Sequence, residues 1–171
     1  PICGKIIDAY SKVDLSLILD NRSPNHSIAD LIKNYMGKQY INKPNCVCGY
    51  RGNLIEEKVF FTIPEYLVLD LDKGGKVVFD HQIDLSAYIE KSIYPIYPTK
   101  YELYAVINRE VNNYSNMQFV CSIKEKGQWT FYSLTNIKKC GTEYLEEGIP
   151  SIAIYKRFND NLNYINIYNS W

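Results

Sequence analysis

A chain of 171 residues, 46% hydrophobic and 22% charged, is long enough to bury one core and has the make-up of an ordinary globular domain. Nineteen basic and nineteen acidic side chains cancel to a formal net charge of zero, so the basic excess of a nucleic-acid-binding face is missing and nucleic acid is not the expected partner. No apolar run approaches the roughly 18 residues of a membrane-spanning helix, and a membrane is not expected as a partner either.

The N-terminal residues 5–10 and 13–19 are short, branched and partly alternating, which predicts two strands. Ser27, followed three residues later by Asp30, opens a capping-box-like start. Ile28, Leu31, Ile32, Tyr35 and Met36 then recur at helical spacing until Gly37, predicting an amphipathic helix over 27–36. A loop follows that holds Pro44, Cys46, Cys48 and Gly49.

Strands are predicted next over 58–63, 66–72 and 76–80, the last two joined as a hairpin through Lys73, Gly74 and Gly75. The stretch DLSAY, 84–88, predicts a short helical turn capped by Asp84 or Ser86. After a Pro/Tyr-rich link over 94–99 come three further strands, 102–109, 117–124 and 128–134. A helical turn over 142–147, stopped by Gly148, precedes a last strand over 151–157. The tail 159–171 is asparagine-rich and poorly patterned. Strand runs outnumber helices, and their order predicts an α+β fold with a mainly antiparallel core.

The five cysteines, Cys3, Cys46, Cys48, Cys121 and Cys140, are odd in number and irregularly spaced. That is a poor disulfide framework, and it points to a reducing, intracellular setting, cytoplasm or nucleus. The chain begins at Pro1 with no signal-peptide pattern and reads as an excised fragment.

Several motifs in this order resemble the ubiquitin-specific protease family of cysteine deubiquitinases. VDLSLILD followed by SIADLIKNYM is similar to the family's strand-then-helix entry to its fingers. NCVCGYRG followed by EEKVFFTIPEYLVLDLD is similar to its cysteine pair and the apolar strand behind it. FDHQIDLSAY resembles a further family element, and YELYAVINR, MQFVCSIK, GQWTFYSL and SIAIYKRF fall in the order of its last four core strands. The resemblance implies a USP-like cysteine peptidase fold reduced to palm and fingers over 1–158, lacking the thumb and its nucleophile, with 159–171 as a separate tail.

Carried over residue by residue, the resemblance puts Gln118 where the family has its general-base histidine and Ser133 where it has the residue that orients the histidine. A glutamine amide takes no proton at useful pH, and in triads generally losing the base costs on the order of 10⁴ to 10⁶ in rate. The expected site is therefore degenerate, with no catalytic residue. His26 and His81 lie far from the motif in sequence and read as surface residues; Cys121 on a core strand reads as a small buried hydrophobe.

The resemblance further implies that Tyr101 and Phe119, with Trp129, border a channel for the C-terminal tail of ubiquitin. Cys46 and Cys48 stand near the family's finger zinc, but tetrahedral zinc needs four ligands and the other pair is missing, with Cys3 the one spare. No metal and no cofactor is expected. The expected function is a non-catalytic module that binds ubiquitin weakly, or another protein, as a scaffold. Two alternatives stay open: the C-terminal portion of an active deubiquitinase whose nucleophile lies upstream, and an unrelated α+β interaction domain.

Overall fold

In the computed structural model, which describes residues 16–20, 26–43, 52–71, 75–90, 98–111 and 117–158, apolar residues on alternate strand positions gather onto one buried sheet face. The strands in chain order are β1 (Leu17–Ile18), β2 (His26–Ser27), β3 (Gln39–Lys43), β4 (Gly52–Glu56), β5 (Tyr66–Asp70), β6 (Val77–Val78), β7 (Gln82–Asp84), β8 (Lys100–Val111), β9 (Met117–Glu125), β10 (Gln128–Tyr132), β11 (Ile137–Cys140) and β12 (Ile149–Arg157). The helix α1 spans Ile28–Met36, and 3₁₀ turns occupy Ser86–Tyr88 and Thr142–Leu145.

One eight-stranded sheet runs β1-β5-β12-β8-β9-β10-β11, with β7 also paired to β8. Within it only β1 and β5 run parallel. The predicted α+β, mainly antiparallel architecture is the one observed.

The helix starts where the capping residues require. Ser27 Oγ accepts from Asp30 N at 3.2 Å, and Asp80 Oδ2 accepts from Ala29 N at 2.8 Å, so a carboxylate from a distant segment also serves the positive helix end. Ile28, Leu31, Ile32 and Met36 are buried in the same core cluster as the strand residues Leu67, Leu69, Leu103 and Tyr155. Gly37 ends the helix in extended backbone rather than in the left-handed conformation that a terminal glycine suggests.

Two tyrosines sit at the centre of the core. Tyr101 on β8 and Tyr155 on β12 are both fully buried, and each hydroxyl finds a carbonyl, Tyr101 at Pro64 O (2.6 Å) and Tyr155 at Asp80 O (2.7 Å). Burial without such partners would cost roughly 1–3 kcal/mol for each hydroxyl. The two bonds tie the loops before β5 and β7 to the middle of the sheet.

Four sequence expectations are corrected. Residues 58–63 form no strand; Phe60 makes a single bridge to Ile89, because β-propensity expresses fit to a neighbouring strand and none runs alongside. β5 and β6 do not pair with each other as the predicted hairpin requires: β5 pairs with β12 and β1, while β6 pairs in parallel with β2; the predicted turn falls mostly outside the described residues. The stretch flanking Pro44, read as loop, is bounded by the antiparallel pair β3–β4. The strands β7 and β11 were unforeseen, being short and polar. The expectations for 5–10, 94–97 and 159–171 fall outside the described residues, as do Cys3, Cys46 and Cys48.

The β9–β10 hairpin turns through Lys126 (φ 50°) and Gly127 (φ 82°), the two-residue geometry that matches strand twist. Gly148, before β12, has φ 84°, and a Cβ there would stand 2.6 Å from the Arg109 carbonyl oxygen. At Gly127 a Cβ would meet nothing within 4 Å. Gly148→Ala is therefore expected to lower stability by about 3 kcal/mol and Gly127→Ala by about 1 kcal/mol in denaturant titrations. Equal losses at the two positions would contradict the packing described.

Candidate functional site

Strands β8, β9 and β10 carry the residues that the sequence singled out. Their registers pair Glu110 with Gln118 and Arg109 with Phe119, and Cys121 with Tyr132. Directly opposed residues share a face, so Gln118 and Glu110 lie on the core side with Val120, Ser122 and Asn108. Phe119, Cys121 and Tyr132 lie on the other face, where Cys121, expected as a buried hydrophobe, is only half-buried and outside the core cluster.

Gln118 Nε2 donates to Glu110 Oε2 at 3.3 Å. The amide is thus engaged across the strand pair by a carboxylate, a structural contact that moves no proton. Ser133 follows β10 and folds into a local turn: its backbone N–H donates to Asn136 O at 2.9 Å, and its Oγ accepts from Asn136 N at 3.1 Å. Gln118 and Ser133 are each engaged with a different neighbour, and no hydrogen bond joins them.

Both histidines stand on other elements. The His81 carbonyl accepts from Leu103 N, and Leu103 stands seven residues of β8 away from Glu110, roughly 23 Å of strand. His26 lies in β2, paired to Val77 in a separate two-stranded sheet.

The three aromatic residues expected at a channel wall have different fates. Tyr101 is 0% exposed and Trp129 5% exposed, whereas Phe119 is 63% exposed. Tyr101 is a core residue whose phenol is pushed up to about 12 by burial. Trp129 stands opposite Cys140 within the core cluster. Of the three, Phe119 presents a ring to solvent.

The core side of this strand group is closed by the turn Thr142–Leu145. Asn108, itself buried, donates from Nδ2 to Leu145 O at 3.0 Å and to Glu147 O at 2.6 Å. The Tyr144 ring packs on Phe131 at 5.5 Å, and Lys138 Nζ lies 4.0 Å above the Tyr144 ring centre. Neither Asn108 nor this aromatic clamp was foreseen. A polar residue inside an otherwise apolar strand run was the available signal.

Other chemistry is sparse among the described residues. They contain no cluster of three or more His, Cys, Asp or Glu side chains placed to hold a metal. An open cleft beside the β9–β10 turn is lined by Glu102, Tyr104, Lys124 and Lys156, and its most enclosed charges, Lys124 and Glu102, are already paired.

No family model matches the chain, and no curated protein matches it significantly. Solved structures do match its fold. A SAGA DUB module, Ubp8/Sgf11/Sus1/Sgf73 bound to ubiquitin aldehyde, aligns at TM-score 0.70 and 15% identity, covering 86% of this chain and 37% of that chain. The same kind of module bound to monoubiquitin aligns at TM-score 0.69 and 16% identity, over 86% and 36% of the two chains. A yeast SAGA DUBm with an Sgf73 mutant gives TM-score 0.68 at 15% identity, over the same shares. The chain therefore has a ubiquitin-specific-protease-like α+β fold, and it spans little more than a third of the length of the chains it matches.

Burial pushes the thiols of Cys121 and Cys140 up, and for Cys140 the Glu143 carboxylate adds to the effect. The thiolate is the reactive form. Site-resolved mass spectrometry after brief iodoacetamide treatment at neutral pH is expected to find both nearly unmodified, and rapidly modified in urea. Fast alkylation of Cys121 in the folded chain would contradict the upward push on its thiol.

Proposed function

We propose that this chain is a catalytically degenerate ubiquitin-specific-protease-like palm-and-fingers domain that works as a ubiquitin-binding or scaffold module inside the cell. The observation that carries this reading is Gln118. At the position of the general base it holds an amide hydrogen-bonded to Glu110, and no imidazole stands within reach. A thiol protease needs a base both to form the thiolate and to protonate the leaving amine. The strand remains while the proton-transfer group is gone.

Binding can outlast chemistry on such a scaffold. Phe119 offers an exposed aromatic ring one residue from the base position, and an extended peptide gains affinity from contacts of this kind. Contacts below about 1,200 Å² are weak and transient. The expected affinity for ubiquitin is tens to hundreds of micromolar, about 5–6 kcal/mol. A second reading makes the chain part of an active thiol-dependent ubiquitin hydrolase whose nucleophile lies elsewhere in a longer polypeptide. The 36% span favours it, and Gln118 opposes it.

Titrating labelled ubiquitin with the chain by NMR tests the binding. Chemical-shift changes confined to one ubiquitin surface, weakened severalfold by Phe119→Ala, are expected. No shifts at millimolar protein, or shifts indifferent to Phe119, would overturn the ubiquitin-binding reading.

A further inference from the structure

An antiparallel sheet with one wet face alternates apolar-in with polar-out. The sheet here does not. On the face turned away from the core, β9 presents Met117 (68% exposed), Phe119, Cys121 and Ile123 in succession. Tyr132 stands opposite Cys121 and Ile137 opposite Tyr132, with Ile137 67% exposed. Ile149 stands opposite Arg109, and Arg109 opposite Phe119. Leu134, in the turn after β10, is 84% exposed. The exposed large side chains of this region present on the order of 500 Å² of apolar surface, toward the upper end of the largest patch on a typical monomer.

We propose that this outer face is a self-association surface and that its occupant is the same face of a second copy of the chain. Three features favour that occupant. A sheet face stacks on another sheet face at about 10 Å with strands nearly aligned, and identical faces meet about a two-fold axis that closes the assembly at a dimer. The 500 Å² of exposed apolar surface, doubled across two identical faces, gives about 1,000 Å², the low end of specific interfaces and the size of a weak, concentration-dependent dimer. The formal net charge of zero leaves no long-range repulsion between copies. Growth along the sheet edge is the less favoured mode: β11 is four residues long and carries Lys138 and Lys139, and short, lysine-bearing edges resist pairing.

Sedimentation velocity of the chain from micromolar to millimolar concentration tests the proposal. The weight-average mass is expected to rise from one chain to two and to stop there. The variant combining Leu134→Asp and Ile137→Lys, both at exposed positions that leave the core intact, is expected to weaken dimerisation at least tenfold. Should that variant fail to fold, as judged by circular dichroism, Phe119→Ser takes its place in the same assay. A wild type that stays monomeric throughout would overturn the proposal, as would a folded variant that dimerises like the wild type. Dimerisation is measured without ubiquitin present, so its failure is separate from a failure of ubiquitin binding.

Discussion

The pairing of β8 with β12 is the interaction on which the rest of the structure depends. It runs from Ile149 opposite Arg109 to Arg157 opposite Tyr101, with β5 added beyond β12 and β9 beyond β8. Tyr101 and Tyr155 fill the core from these two strands, and their hydroxyls fasten the loops that lead into β5 and β7. Asn108 reaches from β8 to the carbonyls just ahead of β12. A bulge at Ser151, beside Pro150, bends β12, and a second irregularity leaves Tyr104 of β8 as the extra residue, without breaking the pairing; the first lies where proline removes a ladder donor.

That pairing has a consequence for the candidate site. Because β8 sets the register of β9, residue 118 is held opposite Glu110 whatever its side chain. A glutamine there makes a hydrogen bond that suits the pair. The turn at Ser133 is satisfied by Asn136 in the same way. The strands are maintained by packing on their core face, through Val120, Trp129 and Phe131, and that packing asks nothing of positions 118 and 133. The proposed loss of chemistry is compatible with retention of the fold for this physical reason.

The sequence made the long strands and the helix legible because their signals are strong and local. Alternation in 102–109 and 117–124, helical spacing after Ser27 and the glycine turn at 127 each point one way. What stayed hidden was set by partners. The segment 58–63 has strand-like composition but pairs through a single bridge, Phe60 to Ile89, and β11, with two lysines in four residues, becomes a strand only because β10 lies beside it. Residues 66–72 and 76–80 look like a hairpin, yet long-range pairing with β12 and β2 took precedence. At the site, the proposal that Gln118 stands in place of a base rests on the motif alone. The burial of Tyr101 and Trp129 could not, because an aromatic residue on a strand fits a core as well as a groove until the face it occupies is known.

The proposal that this fold persists here without a proton-transfer group is tested most directly with ubiquitin carrying a C-terminal electrophile. Such a probe reports on any thiol activated at the site. The account predicts that the folded chain, incubated with substoichiometric probe, forms no covalent adduct at any of its five cysteines. An adduct at a single cysteine that forms in the folded chain and is abolished by urea would contradict it.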